Sequence, residues 1–236
     1  MGLYLRQWLA GRDFATANEI AAQMANFVYA IGDSATRQCV LIDPAWDVDG
    51  LLDRLDADGM TLIGALATHY HPDHVGGGMF GLHVEGLPRL LEKRPVPIHV
   101  HADEGDGLRL VTGVSESDLV RHRGGDTLRV GGVDVQFLHT PGHTPGGQCF
   151  LAGGNLLAGD TLFVRGCGRV DLPGGDPEEM YRTLTQRLAS LPDDIVLYPG
   201  HDYADRPNST LGDERRDNLY LRVRSLDDWT RLMGGF

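Results

Sequence analysis

Four short apolar runs in this chain each deliver a loop that carries histidine or aspartate. LIGALAT runs into His69-Tyr70-His71-Pro72-Asp73-His74, VDVQFLHT into Pro141-Gly142-His143, LLA into Gly159-Asp160, and DIVLY into Pro199-Gly200-His201. Apolar runs of this length, bounded by Gly, Pro and polar residues, read as buried strands. Together the four loops offer five imidazoles and two carboxylates. Within the first loop His69 and His71 are two apart and can point the same way, while a turn at Pro72 lets Asp73 and His74 face another way. That arrangement suits two neighbouring cations better than one.

Neutral imidazole and carboxylate are expected ligands for Zn²⁺ or Fe²⁺, and a donor set without thiolate argues for an open, catalytic site over a closed structural one. A single His-x-His alternation is common without a metal, and His99-Val100-His101 reads as such a case. His83, His122 and His139 likewise read as ordinary polar or half-buried residues. The His-x-His-x-Asp-His run is far more specific, and three further His or Asp loops at strand ends reinforce it.

The surrounding pattern is mixed. NFVYAIGD and RQCVLID predict a hairpin across Asp33 to Thr36, and Val48, Leu51, Leu52 and Leu55 predict a helix that stops near Gly59. A helix around Pro88 to Lys93, a strand PIHVHA and a helix near Asp106 to Thr112 are expected in the middle, which from about Phe80 to Ser117 is the hardest stretch to read. Gly131-Gly132 and Gly153-Gly154-Asn155 mark two further hairpins. Asp176-Pro177-Glu178-Glu179 opens a helix expected to continue through Met180, Leu184, Leu188 and Leu191, and the tail from Asp213 is expected to be helical.

Composition narrows the function. With 21 basic and 33 acidic residues the net charge is −12, so a partner bound through a phosphate backbone, which requires a basic surface, is excluded and no nucleic acid is expected. No run approaches the ~18–20 apolar residues of a membrane helix, and the start MGLYLRQWLAGRDF has arginines where an export signal has its apolar core. Cys39, Cys149 and Cys167 are odd in number and form no Cys-x-x-Cys, which points to a reducing cytoplasm. Glycine, at 32 of 236 residues, is about twice as frequent as usual, in keeping with loops that bring backbone close to a site. The length fits one layered domain over 1–236.

The order His-x-His-x-Asp-His, TPGHTPG, GDTLF, YPGHDY resembles the metallo-β-lactamase superfamily, and RGCGRVDLPGGDPEEMY resembles its glyoxalase II and persulfide dioxygenase branch. The resemblance spans about Asn26 to Val223. It implies an α+β fold, a four-layer αββα sandwich with metals at one edge of its two sheets. It also implies that His69, His71 and His143 bind one metal, Asp73, His74 and His201 a second, and that Asp160 bridges them. Two divalent ions are implied, Zn²⁺ first, with Fe²⁺ and Mn²⁺ as alternatives. A water shared by two such ions loses a proton near neutral pH. Asp73 would also orient the resulting nucleophile, so it is the residue assigned a catalytic role.

The implied activity is hydrolysis of a thioester or activated ester, the substrate a small molecule such as a conjugate of glutathione or another thiol. The rival is a single-Fe²⁺ persulfide dioxygenase using His69, His143 and Asp160 as a facial triad, and GRVDLP in place of that branch's GRTDFQ-like stretch lowers it. The glutathione-gripping helical extension of glyoxalase II is missing after His201. The long segment between His74 and His143 is expected to be a lid, a substrate-selecting wall or a surface elaboration. Arg165 and Arg169 are candidate partners for a substrate carboxylate, and Cys167 reads as structural. A monomer or homodimer is expected.

Overall fold

The structure is a computed structural model described for residues 2–79 and 81–233. Met1, Phe80 and 234–236, to which the expectation of one domain over 1–236 extends, lie outside the described residues. In chain order the elements are β1 (Leu3–Leu9), α1 (Glu19–Met24), β2 (Phe27–Asp33), β3 (Gln38–Ile42), α2 (Val48–Ala57), β4 (Thr61–Leu66), α3 (Pro72–Val75), β5 (Gly77–Met79), β6 (Leu82–Val84), α4 (Leu87–Lys93), β7 (Ile98–His101), α5 (Gly105–Thr112) and β8 (Leu119–His122). There follow β9 (Thr127–Val130), β10 (Val133–His139), β11 (Gln148–Ala152), β12 (Asn155–Leu157), β13 (Leu162–Phe163), β14 (Gly166–Cys167), α6 (Pro177–Arg182), β15 (Val196–Tyr198), β16 (Ser209–Thr210), α7 (Leu211–Asp217) and α8 (Leu226–Met233).

Two six-stranded mixed sheets, in the orders β1-β2-β3-β4-β7-β8 and β16-β15-β12-β11-β10-β9, form the centre. Strand alternation makes the layers. In β2, Phe27, Tyr29 and Ile31 point between the sheets, where they meet Val135, Phe137 and Phe150, while Val28 and Ala30 point to the opposite face and pack with Leu51 and Leu55 of α2. On the outer face of the second sheet, Cys149, Leu156 and Leu197 pack with Met180, Leu184 and Trp229. The strands read as nearly continuous apolar runs because both faces are covered, and each fully buried Leu, Ile or Phe stabilises this αββα stack by about 1.5–3 kcal/mol.

The expected hairpins form, and α2 begins at Asp47, whose carboxylate accepts the Gly50 N–H at 2.9 Å. Four features depart from the expected pattern. β1 escapes the pattern because its alternation is broken by Arg6 and Gln7, yet it pairs with all of β2. The helix begun at Asp176 stops being α-helical after Arg182, becomes a π turn over Thr183–Arg187 and a 3₁₀ turn over Leu188–Ser190, and ends with Leu191 extended. The tail forms two helices, α7 and α8, separated by the 3₁₀ turn Leu219–Leu221. The His74–His143 segment is more than a surface elaboration: it supplies β7 and β8 to one sheet and β9 and β10 to the other, and its Met79 borders the cavity over the site. Among the described residues no helix is long and apolar enough to cross a membrane.

Candidate metal centre

β4 ends just before Thr68 and hands the chain to His69 and His71, with Asp73 and His74 on the short helix α3. β10 leads to His143, β12 to Asp160 and β15 to His201, so the first sheet supplies four of the seven residues and the second sheet three. The two sheets are tied at this edge by Gln148, which donates its backbone N–H to Thr68 O at 3.0 Å and its side-chain amide to Ala67 O at 2.9 Å. Two glycines are required for the approach. A Cβ at Gly159, which has φ +48°, would lie 2.6 Å from Thr68, and one at Gly200 would lie 2.4 Å from Asp160 Oδ1.

All seven residues expected at the site converge here. His69, His71 and His143 form one group with donor atoms within 4.8 Å of one another, and Asp73, His74 and His201 form another. Asp160 lies between them, its Oδ2 3.5 Å from His143 Nε2 and 3.4 Å from His201 Nε2. Its Oδ1 is 3.3 Å from His74 Nε2 but is not aligned for a hydrogen bond.

Outer partners decide which ring nitrogens face inward. His143 Nδ1 donates to Arg169 O at 2.6 Å, His201 Nδ1 to Met24 O at 2.7 Å and His74 Nδ1 to Asp43 Oδ2 at 3.0 Å. His69 Nδ1 lies 2.9 Å from the Thr68 hydroxyl, which itself donates to Asp43. A neutral ring with its proton on Nδ1 presents a lone pair at Nε2. Ring nitrogens of different loops then meet at the centre: His74 Nε2 is 3.2 Å from His201 Nε2, and His143 Nε2 is 3.0 Å from His71 Nδ1. Buried His69 Nε2 and Asp160 Oδ1 have no hydrogen-bond partner at all. Buried acceptors left unpaired are costly, and a cation is the species that fits this donor set.

Burial, reinforced by His74, holds the His69 ring well below the usual imidazole range, and burial with His143 brings His71 down to about 4. Burial also opposes the charged forms of His74 and Asp160, but Asp73 and then Asp160 raise the His74 imidazole, and His201 and then His74 lower the Asp160 carboxyl. Asp73 is lowered in the same way by His74 against burial, and its Oδ2 accepts the Asn26 amide at 3.0 Å.

A cavity of about 550 Å³ opens over these residues, bordered by Met24, Met79, Phe163, Leu172, Tyr203 and Tyr220 together with Arg165, Cys167 and Arg169. Arg169 is already held by Asp171 through bonds of 2.7 and 2.6 Å, whereas the Arg165 guanidinium meets Asp205 only at 3.8 Å. Burial pushes the Cys167 thiol up to about 12, which disfavours its thiolate. Elsewhere His101 and His139 stack at 4.0 Å and 11° beside Asp103. With Asp103 their donor atoms also lie within 4.8 Å of one another, but this group offers three donors where the main site offers seven.

Asn26 and Asp43 are functional neighbours that the sequence reading passes over. Asn26 braces Asp73 while accepting the Trp46 indole N–H at 3.0 Å, and Asp43 orients both Thr68 and His74. Asp43 follows the apolar strand β3, whereas Asn26 stands just before β2.

The description "Metallo-beta-lactamase superfamily" matches residues 24–201. The chain belongs to that superfamily, whose members related to it include metal-dependent hydrolases and an oxygenase. Human mitochondrial persulfide dioxygenase ETHE1 is 31% identical over 212 residues, covering 88% of this chain and 76% of that protein. Hydroxyacylglutathione hydrolase of Synechococcus sp. is 36% identical over 193 residues, covering 78% of this chain and 67% of that one. The crystal structure of ETHE1 from Myxococcus xanthus matches with a TM-score of 0.80 and 32% identity, over 98% of this chain and 90% of that one.

Proposed function

We propose that this chain is a single-domain, binuclear metal-dependent hydrolase that cleaves a thioester or a related activated ester, in the manner of glyoxalase II. The observation that carries the proposal is the pair of donor groups on either side of Asp160, with buried His69 Nε2 and Asp160 Oδ1 left unpaired between them. His69, His71 and His143 would hold one divalent ion, Asp73, His74 and His201 the other, and Asp160 would bridge them. Zn²⁺ suits these nitrogen and oxygen donors. Such ions supply Lewis acidity that lowers the pKa of water toward neutrality and polarises a carbonyl.

The chain's own residues do the rest. Asp43, Met24 O and Arg169 O fix the imidazole tautomers, and Asn26 holds one oxygen of Asp73, whose carboxylate would orient the attacking water. The apolar wall of the cavity limits bulk water around the reacting carbonyl. Arg165 and Arg169 are proposed to meet an anionic group of the substrate, Arg165 being the freer because Asp171 already occupies Arg169. The unpaired and buried Cys39 and Cys149 suit a reducing compartment such as the cytoplasm.

The likeness to ETHE1 proteins supports a second reading, a persulfide dioxygenase with one Fe²⁺ on His69, His143 and Asp160. Metal analysis of anaerobically purified protein, run beside S-lactoylglutathione hydrolysis and oxygen uptake with glutathione persulfide, separates the two. Two metals per chain with thioester hydrolysis and no oxygen uptake is the expected result. One iron per chain with oxygen consumption replaces the hydrolase by the dioxygenase, and a His143→Ala protein with wild-type turnover overturns the site itself.

A further inference from the structure

Glu104 lies outside the donor set yet touches both loops that form its three-imidazole group. The residue is 0% exposed. Its Oε2 accepts the backbone N–H of Tyr70, the residue between His69 and His71, at 2.9 Å, and its Oε1 accepts the backbone N–H of Gly146, three residues after His143, at 2.7 Å. Glu104 immediately precedes α5, but its carboxylate makes no capping bond to that helix. Burial raises its carboxyl, and hydrogen bonds from the Thr144 side chain and the Gly146 and Tyr70 backbone oppose that. A buried carboxylate without a cation is expensive, and here it is offset by donors that come from the two ligand loops.

The carboxylate is rigidly mounted. Glu104 donates its own N–H to His101 O at 3.0 Å and accepts Leu108 N–H at 2.8 Å, which fixes it between β7 and α5. The fit is close on both sides: a Cβ at Gly146 would lie 2.8 Å from Glu104 Cγ, and one at Gly107 would lie 2.9 Å from Tyr70 Cγ. His71 has the most need of such support. His69 and His143 are each steered by a partner at Nδ1, whereas the hydrogen bond recorded for the His71 ring is the inward contact with His143. The placement of His71 therefore falls to the backbone just ahead of it.

We propose that Glu104 is a positioning residue for the three-imidazole group, bracing the loop of His69 and His71 against the loop of His143 at the spacing that receives one cation. The inference rests on the metal-dependent reading above. Donor rings must be placed to within about 0.5 Å for a metal site to form well, and one carboxylate spanning two loops sets that distance directly.

Glu104→Gln tests this in the full chain with Co²⁺ as the probe, its affinity measured by competition with a chelator. Gln keeps one acceptor but turns an NH₂ toward the other backbone N–H. In a His201→Ala background, which leaves the three-imidazole group complete, Glu104→Gln is expected to weaken Co²⁺ binding on the order of 10–100-fold, the usual effect of losing an outer support. In a His143→Ala background, which leaves the Asp73, His74 and His201 group complete, the same change is expected to leave affinity within about twofold. Glu104→Asp, which keeps the charge on a shorter arm, should fall between. Equal losses in both backgrounds would assign Glu104 a general scaffold role, and no loss in the His201→Ala background would remove the brace altogether. A wild-type chain that binds no Co²⁺ would instead overturn the metal reading itself.

Discussion

Asp43 adopts φ +54° at the end of β3, a conformation unusual for a residue with a side chain. Its carboxylate accepts the Thr68 N–H at 2.7 Å, the Thr68 hydroxyl at 2.6 Å and His74 Nδ1–H at 3.0 Å, so one buried side chain orients a ring in each donor group. Asp43→Asn keeps the volume but loses an acceptor. It should lower metal affinity by on the order of 10–100-fold while leaving the circular dichroism spectrum native, and chelator competition would measure it. At this scale the seven donor residues are legible because metal chemistry restricts their types and the first loop restricts their spacing. Asp43, Asn26 and Glu104 are not, because a carboxylate or amide that orients a ring leaves no spacing signature and its partners are distant in sequence.

Among the elements, the β13–β14 hairpin bears most directly on the cavity. Its tip holds Arg165 at φ +58°, and the strain is offset by Glu214 of α7, which accepts the Arg165 N–H at 2.7 Å. Asn218 closes the same turn by donating to Gly166 O and to Glu214 at 3.0 Å each. Asn218→Ala should therefore cost about 1–3 kcal/mol in urea unfolding by leaving buried acceptors unpaired. It should also raise KM for a carboxylate-bearing thioester more than for a neutral one, because Arg165 loses its fixed station. Equal changes in KM for the two substrates would separate the hairpin from substrate recognition. Helices with a strong stripe and cap, such as α2 and the start of α6, follow from local sequence. The π turn after Arg182 does not, since it replaces a regular helix that the leucine spacing alone would have favoured, and β1 forms because β2 offers a complete edge to pair with.

On the scale of the whole molecule, the site joins two sheets that otherwise meet through apolar side chains. Metal binding to donors from both sheets should stabilise the folded chain by roughly 3 kcal/mol at a hundredfold excess over Kd. In a protein of this size chelation should then lower Tm by roughly 5–10 °C in differential scanning calorimetry. No shift, for a chain shown to lose its metal, would mean that the two sheets hold the edge without it. The sequence by itself determined most strand runs, the layered α+β class and the seven residues that meet at the site, because burial periodicity and residue chemistry are local properties of residue type and order. Only the tertiary structure decided which nitrogens face inward, which arginine is free, and that the long segment after His74 builds both sheets. Those outcomes depend on contacts between residues far apart in the chain, made only once the two sheets have packed.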